Sequence, residues 1–76
     1  MMTRLELRAC KVMRLTRKPP RNPKAAIPQT ALCQALGISQ PTLSKIEHGE
    51  TVPSLDTWFR FCRLFNGNPD PMKWVV

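Results

Sequence analysis

Four polar side chains near the middle of the chain, Gln40, Thr42, Ser44 and Lys45, have the chemistry to read nucleic-acid bases. A glutamine amide can bond adenine through two hydrogen bonds, a threonine can contact a thymine methyl or a phosphate, and a lysine can donate to guanine or to a phosphate. Ser44 can reach a base edge or a bridging water. At this spacing the four side chains lie on the outward part of one helix if the apolar residues between them face inward.

A helix, a glycine turn and a second helix are predicted around these side chains, within residues 28–49. Apolar residues recur at helical spacing on one face of each helix: Leu32, Cys33, Leu36, Leu43 and Ile46. Between the helices, Gly37 allows the positive φ of a sharp turn, Ile38 fills the corner, and Ser39 caps the second helix. This layout is a helix-turn-helix, whose second helix enters a major groove with its N-terminal end leading.

Further helices flank this motif, so we predict an all-α fold of four to five helices. The expected helix bounds are Thr3 to Arg17, Pro28 to Leu36, Gln40 to His48, and Ser54 to Phe65. The residues expected to face inward on the two flanking helices are Leu5, Ala9, Val12, Met13 or Leu15, and Leu55, Trp58, Cys62 and Phe65. Four prolines make residues 18–28 a loop or an extended segment. Gly67 ends the last helix, and residues 72–76 form an apolar tail, as a short helix or a strand.

The basic residues are concentrated before the motif. The formal net charge is +7, and residues 1–26 contain eight cations against the single acid Glu6, whereas residues 27–76 are balanced. A basic segment of this kind is the electrostatic footprint of a protein that binds a polyanion, although it can also be simply a solvated face. Because a recognition motif follows it directly, we favour the polyanion.

The segment from Ile27 to about Phe65 resembles the Cro/repressor-type helix-turn-helix family of prokaryotes and phages, also called the XRE family. The residues that carry the resemblance are Gln29, Leu32, Gly37, Ile38, Ser39, Ile46, Glu47, Gly49 and Pro53, together with the helix opening at 53–57. The resemblance implies a lambda-repressor-like fold. The join between helices 1 and 2 is several residues longer than the family usually has, and it is rich in proline.

The resemblance also implies roles for three residues. Gln40 reads a base, Gln29 contacts the DNA backbone, and Glu47 pairs with a basic residue of helix 1, for which Arg14 or Lys11 is available. Other candidates for phosphate contacts come from their positions within the motif, Ser39 and His48, or in the loop before it, Arg21 and Lys24. Phosphate contacts place the protein on the duplex, whereas the base contacts specify the sequence.

Other kinds of site are not indicated. The sequence contains no catalytic triad order, no glycine-rich phosphate loop and no paired carboxylates, so we predict no enzyme and no cofactor. Cys10, Cys33, Cys62 and the lone His48 lack zinc-ligand spacing, which predicts no metal site and reduced, buried thiols. No apolar run approaches a membrane span and the N-terminus is charged, so we expect a cytoplasmic, nucleoid-associated protein.

We therefore expect one helix-turn-helix domain over residues 1–76, made of a basic helix and proline-rich loop (1–27), the motif (28–49), and a last helix with an apolar tail (54–76). It would bind operator DNA as a homodimer and regulate transcription, most simply as a repressor. The residues expected at the dimer contact, or else in the monomer core, are Phe59, Phe61, Trp74 and Val75. The alternatives are an antitoxin-type module that holds a toxin and also binds DNA, and a basic RNA-binding protein.

Overall fold

The computed structural model describes all 76 residues and is entirely helical. The four α-helices are α1 (Arg4–Arg17), α2 (Gln29–Leu36), α3 (Gln40–Glu47) and α4 (Leu55–Leu64), and two short 3-10 turns cover Pro23–Ala25 and Pro71–Lys73. The prediction of an all-α fold of four to five helices is confirmed with four helices, and the bounds of each agree with the predicted ones to within a residue at either end. None of these helices has the length and apolar character needed to cross a membrane.

Local capping signals fix the helix starts. Thr3 and Glu6 form a reciprocal capping box at α1, and the hydroxyls of Ser39 and Ser54 accept the backbone N–H of the residue three positions later in α3 and α4. These bonds satisfy N–H groups that have no partner within the helix. Pro28 precedes α2 as its N-cap, not as the predicted first helical residue, and it provides no side-chain cap.

The core lies where α1, α2, α3 and α4 meet. Its largest side chains with less than 2 % exposure are Phe61, Met13, Leu32, Leu36, Leu43, Ile46 and Val12. Two residues predicted to face inward do not: Leu5 is half exposed and Leu55 is 73 % exposed. On α4 the buried residues are Thr57, Trp58, Phe61 and Cys62. The inward face is therefore rotated by about 50° around the helix axis from the predicted stripe, which is half of the angle between successive residues.

The sequence predicts a short helix or a strand for the C-terminal segment. The segment forms neither, and its only regular element is the 3-10 turn Pro71–Lys73. Its main anchor is Trp74, whose ring lies 5.5 Å from that of Phe61 and so close to Gly67 that any side chain there would collide with it. Arg8 of α1 donates to the carbonyls of Pro71 and Trp74, the latter at 2.7 Å. Gly67 does not supply the left-handed residue after α4; Asn66 does, at φ 53°.

The proline-rich segment leaves and rejoins the fold at one point. Its only regular element is the 3-10 turn Pro23–Ala25. The N–H of Ile27 donates to the carbonyl of Arg17 at 2.8 Å, and the Arg17 guanidinium donates to the carbonyl of Ile27 at 3.1 Å. The extra length of this join is therefore an excursion whose two ends are held together.

Candidate nucleic-acid interface

The surface of α3 carries the predicted base-reading residues in an accessible arrangement. Gln40, Thr42 and Lys45 are exposed, and Ser44 is partly buried. The apolar side of α3, with Leu43 and Ile46, is fully buried. A short helix with one buried face and one polar, exposed face can be inserted into a groove without losing its own packing.

The first turn of α3 is organised by a pair of hydroxyls. The Ser39 Oγ accepts the N–H of Thr42, and the two side-chain oxygens lie 2.8 Å apart. The Thr42 hydroxyl is thus engaged in the cap, which leaves its methyl group as the free part of the side chain. Pro41 lies within this first turn, where a missing N–H has little cost.

Glu47 is the centre of a network that joins three helices. Its carboxylate accepts two hydrogen bonds from the Arg17 guanidinium, one of them 2.9 Å long, and a third of 3.1 Å from the Gln29 side chain. The predicted pairing with Arg14 or Lys11 is wrong, because Arg17 holds the carboxylate, while the side chains of Arg14 and Lys11 are exposed. Arg17 follows Cys10 and Met13 at helical spacing, along the edge of the buried stripe.

This network fixes the orientation of α3 relative to its neighbours. The side chains of Glu47 and Arg17 retain only 5 % and 14 % of their exposure. Buried ion pairs of this kind add little net stability over apolar residues, but removing one partner leaves a buried charge without compensation. Arg17 also donates to the Ile27 carbonyl at the end of the loop before α2. One guanidinium therefore holds α1, the base of the loop and α3 in fixed positions relative to one another.

Gln29 connects this network to the N-terminus of α2. Its side chain is partly buried and donates to Glu47, while its own backbone lies in the first turn, for which Pro28 provides no side-chain cap. The N–H groups of a first helical turn without a cap, at the positive end of the helix dipole, make a suitable place for a phosphate. The predicted backbone-contact residue is therefore also a structural link to α3.

The other end of α3 is closed by His48. The residue is exposed, and its Nδ1 lies 2.7 Å from the carbonyl oxygen of Ser44 and 3.4 Å from the Ser44 hydroxyl. With the proton on Nδ1, the ring donates to the helix C-terminus, and Nε2 is left facing away from these atoms.

Arg21 and Lys24 are exposed on the excursion between α1 and α2. Arg21 lines a groove together with Lys11, Leu15 and the C-terminal Val75. Lys24 lies in the 3-10 turn. The two cations lie on a segment whose base is Arg17, next to the Glu47 network, but neither is hydrogen-bonded to it.

The four candidates for a dimer contact are not equivalent. Phe61 is fully buried, so it belongs to the monomer core and is wrong as a contact residue. Trp74 is partly buried and packs on that core. Phe59 and Val75 are exposed, but they line separate grooves, Phe59 beside Leu5 and Val75 beside the proline-rich loop.

Sequence reasoning missed two residues besides Arg17. Arg8 binds the C-terminal segment, and Arg60 donates to the carbonyl of Leu36 at the C-terminus of α2. No local signal indicated either role, because both contacts join residues far apart in the chain.

The three cysteines are free and buried, as predicted. Burial raises the pKa of each thiol, and the Glu47 carboxylate adds to this effect at Cys33.

Residues 21–71, about two thirds of the chain, match the protein-family model described as Helix-turn-helix. The matched region begins in the proline-rich loop, contains α2, α3 and α4, and ends at the first residue of the last 3-10 turn. It therefore includes every candidate DNA-contacting residue named above. No curated protein and no solved structure matches the chain.

Proposed function

Since the chain belongs to the XRE family of helix-turn-helix proteins, which are DNA-binding transcription regulators, we propose that it is a repressor that binds a two-fold operator as a homodimer. In this proposal α3 is the recognition helix and lies in the major groove. The protein acts on duplex DNA of the nucleoid in the cytoplasm, and it performs no chemical step.

The base contacts come from the exposed side of α3. Gln40, at the leading end, bonds a base edge with its amide, in the manner that suits adenine. The Thr42 methyl packs on a thymine methyl, because its hydroxyl is held by Ser39. Ser44 and Lys45 lie further along and reach a base edge, a bridging water or a phosphate.

The backbone contacts surround this helix. A phosphate binds at the N-terminus of α2 beside Gln29, where the first N–H groups have no side-chain cap. Ser39 and His48 lie at the two ends of α3, and Arg21 and Lys24 add charge from the loop. Contacts of this class hold the register of the protein on the duplex and are independent of sequence.

The observation that carries the proposal is the network of Arg17, Gln29 and Glu47. It ties the first turn of α2, which would hold the phosphate, to the last turn of α3, the helix whose N-terminal end would carry the leading base contact. A recognition surface needs this fixed relation, because a helix free to tilt would lose the register between phosphates and base edges. A flexible basic segment that binds RNA would not need it.

A titration against two nucleic acids tests this function. Duplex DNA selected from a random pool and a structured RNA of equal length would be compared at the same salt concentration, since the affinity depends on salt. We expect the selected duplex to bind at least a hundredfold more tightly than random duplex and than RNA. Equal affinity for all three, or a preference for the RNA, would reject the proposal in favour of basic, unspecific binding.

A further inference from the structure

The outer face of α4 is unusually well suited to contact a second copy of itself. Six of its ten residues are exposed: Leu55, Asp56, Phe59, Arg60, Arg63 and Leu64. Three of them are large and apolar, with exposed fractions of 73 % for Leu55, 44 % for Phe59 and 49 % for Leu64. Neither α1, α2 nor α3 covers this face, and the groove beside it adds the apolar side chains of Leu5 and Val52.

The order of these residues is self-complementary. If two α4 helices pack antiparallel about a two-fold axis between Phe59 and Arg60, residues at equal distances from that point face each other. Asp56 then lies opposite Arg63 of the second copy, because the two residues are seven apart and share one face of α4. Leu55 and Leu64 are nine residues apart and point to opposite sides of α4, so they flank this contact without meeting each other. The ion pair occurs twice, because the axis repeats it.

From this pattern we infer that the outer face of α4 is the homodimer interface and that the second copy packs antiparallel on it, with Asp56 of each copy paired to Arg63 of the other. The inference rests on the proposed function, since it names the surface through which the two-fold repressor is formed. It replaces the candidate pair of Phe59 and Val75 with a contact in which only Phe59 takes part.

The charges select this arrangement over others. A parallel pair would bring Asp56 against Asp56 and Arg63 against Arg63, and like charges across an interface oppose association. Moving the antiparallel pair by one turn would leave Arg63 without an acid opposite it, and it would place Asp56 between Phe59 and Arg60 or beyond the end of the helix. The exposed face of α1 is a poor alternative, because its exposed charges, Arg4, Lys11 and Arg14, are all cationic.

The dimensions of the chain are compatible with operator binding. Recognition helices in successive major grooves are about 34 Å apart, so each must lie about 17 Å from the two-fold axis. The longest extent of the chain is 32 Å, which accommodates that distance. A ten-residue helix is only about 15 Å long, so the contact area is small and the dimer should be weak in the absence of DNA.

A role confined to the monomer makes a different prediction for the same charges. Asp56 lies in the first turn of α4 and Arg63 in the last, where both signs favour the helix dipole. Asp56 also pairs with Arg60 at 3.3 Å, but both side chains are at least half exposed, so this pair contributes little. If the charges served only the helix, reversing both of them would be worse than reversing either one.

The test is a charge swap measured by sedimentation equilibrium without DNA. We expect Asp56→Arg and Arg63→Asp each to weaken the dimer at least about tenfold, because each turns two attractive pairs into two repulsive ones. The double variant Asp56→Arg/Arg63→Asp should regain a dimer within about threefold of the parent. The matched controls Glu50→Arg and Lys73→Asp, at exposed positions outside this face, should leave association unchanged.

Three outcomes overturn the inference: a monomeric parent at tens of micromolar, single variants that associate like the parent, or a double variant more monomeric than either single one. Circular dichroism would establish that each variant is folded. Binding of each variant to a duplex with one half-site separates this inference from the proposed function. We expect that binding to be kept in all folded variants, and its loss in the parent would reject DNA recognition itself and not the α4 contact.

Discussion

At the scale of single residues, the contacts of the Arg17 guanidinium have the largest expected effect on stability. It binds the Glu47 carboxylate and the Ile27 carbonyl at once. We expect Arg17→Ala to lower the free energy of unfolding by about 3–5 kcal/mol, the usual cost of leaving one member of a buried pair alone. Urea denaturation would measure it.

The matched control is Arg14→Ala, one turn earlier on the exposed side of α1. It removes the same group but no observed contact, so the loss should stay within about 0.5 kcal/mol. Equal losses of stability for the two variants would show that Glu47 is not held by Arg17.

The role of Arg17 was not predicted from the sequence. Periodicity places a residue on one face of a helix, but a residue at the edge of that face can equally be exposed to solvent or belong to a buried ion pair.

The two serine caps allow a prediction that separates stability from recognition. Ser39 and Ser54 make the same bonds, each accepting an N–H and lying 2.8–2.9 Å from the hydroxyl of a threonine three residues later. Replacing either serine by alanine should cost about 1 kcal/mol of stability. Only Ser39→Ala should also weaken DNA binding, since the proposed recognition helix is α3 and not α4. Thermal denaturation and a DNA titration of both variants would measure the two effects. Equal weakening of DNA binding by Ser54→Ala would contradict the assignment of α3 as the recognition helix.

At the scale of elements, the helices were predictable from the sequence, whereas the face that α4 buries was not. Local signals such as the Ser39 cap and the left-handed Gly37, at φ 70°, are present in any sequence window that contains them. The face that α4 buries depends on partners far along the chain. Phe61 is fully buried because Trp74 and Phe65 pack on it, and Trp74 is held by Arg8, 66 residues away.

The candidate site divides in the same way. The proposed base-reading residues follow from the register of α3, which the apolar spacing of Leu43 and Ile46 determines. The partner of Glu47 and the separation of Phe59 from Val75 depend on how α1, the loop and the tail pack together. Helical spacing does not contain that information.

At the scale of the whole molecule, the buried thiols predict how stability depends on pH. Burial raises the pKa of Cys10, Cys33 and Cys62 above the ordinary value of 9.0, so the folded chain holds these protons more tightly than the unfolded chain. The stability they contribute is complete below pH 9 and is lost as pH rises through the raised values. Urea unfolding at pH 7, 8.5 and 10 should show a decline only in the last interval.

Cys33→Ala provides the control, because it removes one thiol whose pKa is raised by burial and by Glu47. The alkaline decline should then become smaller. An unchanged decline would assign the effect to other groups. Thiol reagents at pH 8 should also react more slowly with the folded chain than with the chain in denaturant.

The charge of the proline-rich loop should appear in the salt dependence of DNA binding. The slope of log K against log salt decreases by about 0.9 for each lost phosphate contact. Replacing Arg21 and Lys24 together by alanine should lower the slope by up to about two and weaken cognate and random duplexes by the same factor. Lys73→Ala and Arg4→Ala, which remove the same charge at exposed positions outside this loop and its groove, show how much of the change is due to net charge alone. A slope as steep as that of the parent would mean that the loop faces away from the duplex.

The central claim is that α3 reads duplex DNA with Gln40 in the lead. The most direct test selects sites from random duplexes with the parent chain and with Gln40→Ala, and then measures both affinities. We predict that the parent enriches two symmetric half-sites whose centres are about one helical turn apart. Gln40→Ala should lose about 1–3 kcal/mol on that site and relax one base pair in each half, with random duplex unaffected. An unchanged selected site with unchanged affinity would contradict the docking of α3 described here.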